Sequence, residues 1–124
     1  MTDPRVKRAA SKDDDIAVDA LADLSLEDEP PVSIQWVEAI EARKGRDKRI
    51  YAWCYMLRLA LLPEQRIDLL TLGLHDPNPR IREFCADYIG DNAIEDLRDH
   101  LLGLFDDPAA SVRKAASYNY REMF

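Results

Sequence analysis

The sequence predicts an all-α protein: a short right-handed α-solenoid of about three helix pairs, preceded by an acidic N-terminal helical arm. Three observations lead there. The stretch Asp76-Pro77-Asn78-Pro79-Arg80-Ile81-Arg82 is echoed 31 residues later by Asp107-Pro108-Ala109-Ala110-Ser111-Val112-Arg113, and Leu70 and Leu101 keep the same offset. A unit that short cannot bury its own apolar face, so it must stack on a copy of itself. Between the turns, apolar residues recur at helical spacing. Finally, a composition of 47% apolar and 33% charged residues with 4 glycines is that of a largely helical globular chain.

The elements follow in order. Asp13-Asp14-Asp15 ahead of Ile16, Ala17, Ala20, Leu21 and Leu24 predicts a helix over about 13–24, its carboxylates complementing the helix dipole. Residues 1–12 are expected to be mobile. Glu27-Asp28-Glu29-Pro30-Pro31 breaks the pattern and separates an arm, 1–32, from a solenoid, 33–124, with units at about 33–62, 63–91 and 92–124. Ser33 is placed as N-cap of a helix reaching about residue 44, before Gly45. A second helix, 48–62, carries Ile50, Trp53, Cys54, Leu57 and Leu61 as its apolar stripe.

Pro63 opens the next helix, 63–75, with Ile67, Leu70 and Leu74 inward. A helix over 79–89 buries Ile81, Phe84, Cys85 and Tyr88, with Gly90 as C-cap. Asn92 is expected to cap a helix over 93–105 bearing Ile94, Leu97, Leu101 and Leu104 or Phe105. Asp107-Pro108 then starts a last helix with Val112, Ala115, Ala116 and Tyr120. The same register aligns Ile50 with Ile81 and Val112, and Trp53 with Phe84 and Ala115.

On these residues, the later units resemble HEAT repeats, and more closely the short bacterial HEAT-like units also found in phycobilisome lyase-type proteins. An Asp-Pro turn followed by a small-residue helix with an arginine carries the resemblance. It implies that Asp76 with Arg82, and Asp107 with Arg113, form structural turn pairs that hydrogen-bond within and between units. The unit at 33–62 departs from the pattern with Gly45 and Tyr51. The resemblance covers 63–124 well, 33–62 loosely and 1–32 not at all. Because such repeats serve scaffolds, inhibitors and enzyme subunits alike, it implies a fold and leaves function open.

Charge distribution narrows the function. The formal net charge is −7, and it runs −5 over residues 1–32, +3 over 33–62 and −5 over 63–124. The basic cluster Arg43-Lys44-Gly45-Arg46-Asp47-Lys48-Arg49, with Tyr51, Tyr55 and Arg58 nearby, is too local to neutralise a run of phosphates, so nucleic-acid binding is disfavoured. No apolar run approaches the roughly 20 residues of a membrane span, and 1–12 lack the apolar stretch of a secretory signal, which makes a cytoplasmic location the expectation.

Catalytic chemistry finds no constellation. No Gly-rich phosphate loop, nucleophile elbow or Cys–His pair is present. Cys54 and Cys85 stand at equivalent positions of neighbouring units, where helix axes lie about 8–10 Å apart and a disulfide seldom reaches. A metal or acid/base site would need His75 and His100 brought together with carboxylates. Neither is followed by Glu, unlike the His-Glu pairs of HEAT-like hydroxylases. No cofactor and no metal are expected.

Off the apolar stripes, the 31-residue register defines outward rows: Ala52, Glu83 and Lys114; Tyr55, Ala86 and Ser117; Met56, Asp87 and Tyr118. Exposed aromatics and Met among charges suit a contact surface, so Tyr55, Met56, Glu83, Asp87, Lys114 and Tyr118 are the expected partner-binding residues. The expected function is a non-enzymatic interaction module, in its specific form an inhibitor or immunity-type protein that neutralises a basic partner protein. The alternatives are a HEAT-like lyase or enzyme-assisting subunit holding a cofactor, and a nucleic-acid-binding protein.

Overall fold

The computed structural model describes residues 4–26, 50, 53–55, 57 and 62–123. Among these the regular structure is entirely helical, with no strand, and no helix is long and apolar enough to cross a membrane. The chain divides into two compact units, Met1–Leu61 and Leu62–Phe124. The expected helix over 33–44, the basic cluster Arg43–Arg49 and Met56 lie outside the described residues.

In the first unit, helix α1 (Pro4–Ala9) packs against α2 (Asp14–Ser25). Asp13 caps α2, its Oδ1 accepting from the Asp15 and Ile16 amides at 3.0 and 3.3 Å. Ala17, Ala20, Leu21 and Leu24 form the buried stripe at i, i+3, i+4 and i+7. Helix α1 stands ahead of the one helix expected in the arm. Pro4 presets the first helical turn, and Ala9 is small enough to be buried at the end of α1. Residues 50, 53–55 and 57 are helical, with Trp53 and Leu57 buried.

The second unit contains α3 (Pro63–Leu74), α4 (Pro79–Asp91), two 3₁₀ stretches at Glu95–Leu97 and Asp99–Leu104, and α5 (Ala110–Glu122). Helix α4 packs against both α3 and α5, and α5 packs against the second 3₁₀ stretch. Leu69, Leu70, Leu74, Ile81, Cys85, Ile89, Leu97, Leu101, Val112 and Ala116 make the core. Because α4 is covered on two sides, Ala86 is fully buried rather than in an outward row, while Phe84 and Tyr88 are half-buried with ring centroids 6.3 Å apart.

The segment after α4 departs most from expectation. Gly90 lies inside α4, and Asn92 ends that helix instead of starting the next, its Nδ2 donating to the Tyr88 carbonyl at 2.9 Å. The amide of Ile94 donates to Ile89 O and that of Ala93 to Gly90 O, the paired bonds of a Schellman motif, with Ala93 in the left-handed position at φ 49°. Residues 92–94 are therefore consumed in closing α4. The expected α-helix over 93–105 is replaced by 3₁₀ structure, in which Leu97, Arg98 and Leu101 donate to the carbonyls three residues back. A 3₁₀ rise of about 2.0 Å per residue against about 1.5 Å lets the shortened stretch span the unit. Ile94, Leu97, Leu101 and Leu104 still all reach the core.

Candidate functional site

Two Asp-Pro turns organise the second unit. Asp76 Oδ1 accepts from the Asn78 amide at 2.9 Å, and Asp107 Oδ1 accepts from the Ala109 amide at 2.9 Å, so each aspartate closes its own turn ahead of a helix. Each turn also holds an arginine. Arg82 Nη1 donates to the carbonyls of Asp76 and Pro77 at 2.7 and 3.0 Å, and Arg113 Nη1 donates to those of Asp107 and Pro108 at 2.6 and 3.1 Å.

The two arginines differ in what the rest of the guanidinium does. Arg82 Nε and Nη2 grip Asp107 Oδ2 and Oδ1 at 2.8 and 3.0 Å, a bidentate ion pair whose side chains are 14% and 6% exposed. The hydrogen bond from Arg82 holds the Asp107 carboxyl below the usual carboxylate range, burial works against it, and the Ala109 amide and the charge of Arg113 assist. Arg113 Nε and Nη2 meet no acceptor among the described residues, and Arg113 is exposed.

The residues expected to bind a partner are scattered. Tyr55 is half-buried in the first unit. Glu83 is half-buried on α4. Asp87 is half-buried too, its Oδ1 accepting from Asn119 Nδ2 at 2.9 Å, so this carboxylate is used in joining α4 to α5. Lys114 and Tyr118 are brought together. With Phe105, Arg113, Ser117, Arg121 and Glu122 they line a groove of about 540 Å³ along α5. Tyr118 is 64% exposed there. Phe105 is set by a T-shaped contact with Tyr120, centroids 5.6 Å apart, and Arg98 lies over the Tyr120 ring at 3.8 Å.

Asn119, Phe105 and Arg121 were not among the expected site residues. Asn119 carried a signal: it continues the stripe Val112, Ala115, Ala116 at i+7, where a polar residue needs a buried partner. It is buried, donating to Ala115 O at 2.8 Å as well as to Asp87. It also explains Gly90, since a Cβ there would collide with the Asn119 side chain.

Other clusters are smaller. His75 and His100 are brought to one pocket of about 250 Å³ with Leu74, Asp99, Gly103 and Leu104, and both are exposed. Among the described residues no group of three His, Cys, Asp or Glu side chains could hold a metal ion. Glu95 and Asp96 line a shallow groove of about 300 Å³ with Pro63, Arg66, Ile67 and Ile94. Elsewhere in the second unit Glu64, Asp68, Asp91 and Asp99 are exposed as well, and none of these six carboxylates takes part in a hydrogen bond or ion pair among the described residues. In comparisons with known proteins, no family model, no curated protein and no solved structure matches the chain.

Proposed function

We propose that the chain is a non-enzymatic protein–protein interaction module, a short right-handed HEAT-like solenoid that binds a partner protein with a basic surface. Its specific form is an inhibitor or immunity-type protein that neutralises its partner by covering it. The repeated Asp-Pro turns and the Arg82–Asp107 clamp between them support stacked repeats, since an arginine of one unit grips the turn aspartate of the next.

One observation carries the binding reading: the exposed carboxylates Glu64, Asp68, Asp91, Glu95, Asp96 and Asp99 take part in no hydrogen bond or ion pair among the described residues. Like charges carried on one unit repel, so these carboxylates suit cations supplied from outside. The test is affinity capture from the source cell with the wild-type chain and with a Glu95→Lys, Asp96→Lys, Asp99→Lys variant. Retention of one basic protein by wild type alone, released by salt, is the expected result. An identical set of proteins on both baits would overturn the reading.

A subunit that holds a small molecule is the second reading, favoured by the pocket that joins His75, Asp99 and His100. A bound compound in native mass spectrometry that is lost on His75→Ala, His100→Ala replacement would support it.

A further inference from the structure

We propose that the groove along α5 is a second, oppositely charged docking site, which takes an aspartate-bearing acidic segment of a partner protein through a carboxylate seated on Arg113. The structure contains a cast of that ligand. Arg82 and Arg113 occupy equivalent turns, and in each the Nη1 is tied to two successive turn carbonyls, at 2.7 and 3.0 Å for Arg82 and at 2.6 and 3.1 Å for Arg113. That anchoring fixes the plane of the guanidinium. In Arg82 the remaining edge, Nε and Nη2, is filled by both oxygens of an aspartate. In Arg113, an exposed residue, the same edge meets no acceptor among the described residues.

A guanidinium fork already oriented loses little side-chain freedom on taking a carboxylate, and the bidentate geometry selects a planar two-oxygen acceptor. The surroundings extend the match. Lys114 and Arg121 line the same groove, and Phe105 and Tyr118 supply a part-apolar wall against which an extended segment can lie. All five residues lie within the second unit, and none of the six carboxylates of the proposed basic-partner surface lines the groove.

The occupant is argued from charge. Two copies of a chain with formal net charge −7 repel, which disfavours a second copy. Glu122 lines the groove and disfavours the closely spaced phosphates of a nucleic acid. An aspartate carboxylate taken by both oxygens is the chemistry that Arg82 already accommodates.

The test titrates a fluorescently labelled deca-aspartate peptide with the full chain and follows anisotropy at low salt, beside a labelled ten-nucleotide oligothymidylate. The peptide should bind wild type, and binding should weaken about tenfold in Arg113→Lys, which keeps the charge and removes the fork. In Lys114→Gln, Arg121→Gln it should weaken by about three- to tenfold, while Arg80→Gln, an exposed cation at the start of α4, stays within about twofold. The Lys114 and Arg121 side chains take part in no described hydrogen bond, so that variant reads binding even where Arg113→Lys disturbs the turn. Equal peptide affinity in wild type and both groove variants would overturn the proposal. So would tighter binding of the oligothymidylate than of the peptide, or salt-sensitive self-association abolished by Arg113→Lys, which would assign the groove to phosphate or to a second copy.

Discussion

At the scale of single residues, the second unit depends on a few buried polar contacts whose removal has unequal cost. Arg82 satisfies two carbonyls and neutralises the buried Asp107 carboxylate, whereas Arg113 satisfies two carbonyls at an exposed position. Arg82→Gln should therefore destabilise the protein by about 3 kcal/mol, because it leaves a buried charge unpaired. Arg113→Gln should cost about 1 kcal/mol. Urea titrations of both variants check the ordering, and equal losses would contradict it. The lowered pKa of Asp107 adds a pH signature. A carboxyl depressed in the folded state contributes stability above its unfolded value of about 3.9 and loses that contribution as pH falls through the folded value. The stability gap between wild type and Asp107→Asn should accordingly be full near neutral pH and shrink in acid. A gap that does not change with pH would exclude the ion pair as its source.

Gly90 gives a test of opposite sign to the usual rule. Glycine to alanine inside a helix ordinarily gains about 0.5–1 kcal/mol. Here the new Cβ meets Asn119, so Gly90→Ala should lose about 1–3 kcal/mol, and Asn119→Ala in the same chain should recover part of it. Thermal melts of the two single variants and the double variant decide the matter.

At the scale of elements, the 31-residue register makes a difference between α4 and α5 legible. Asn78 caps α4, its Oδ1 accepting from the Arg80 amide at 2.9 Å, while Ala109 at the equivalent place gives α5 no side-chain cap although its backbone is extended as a cap requires. Ala109→Asn should stabilise by about 1 kcal/mol. Ala93→Gly, at the left-handed end of α4, should stabilise by up to about 1 kcal/mol for a related reason: glycine adopts φ 49° without the Cβ penalty. A fall in melting temperature for either would contradict the assigned cap geometry.

The same elements show what could and could not be read from the chain. Helices α3, α4 and α5 were legible because proline, asparagine and aspartate punctuate strong apolar periods near their starts. The stretch from 92 to 105 was not, since its leucines sit at spacings that an α-helix and a 3₁₀ helix satisfy almost equally. What separated the two was the closing motif of α4, in which alanine fills a place usually marked by glycine. For the site, Lys114 and Tyr118 could be read from the register as outward residues. The engagement of Asp87 by Asn119, and the contrast between the filled fork of Arg82 and the open fork of Arg113, depend on contacts between helices that no local pattern encodes.

At the scale of the whole molecule, the distribution of charge distinguishes the chain. Arm and second unit are each net acidic, the second unit exposes carboxylates that no described residue engages, and its last helix gathers Arg113, Lys114 and Arg121. Exposed charges of this kind contribute little to stability and much to the rate and selectivity of association. Charge reversal at Glu95 and Asp96 should thus leave the melting temperature nearly unchanged while weakening binding of a basic partner. The most direct measurement is isothermal titration calorimetry of the captured basic protein against wild type and the Glu95→Lys, Asp96→Lys, Asp99→Lys variant, each at low and high salt. A one-to-one complex whose affinity falls by about tenfold or more with salt and with charge reversal is the predicted result. Affinity unmoved by either change would contradict recognition through the carboxylate surface.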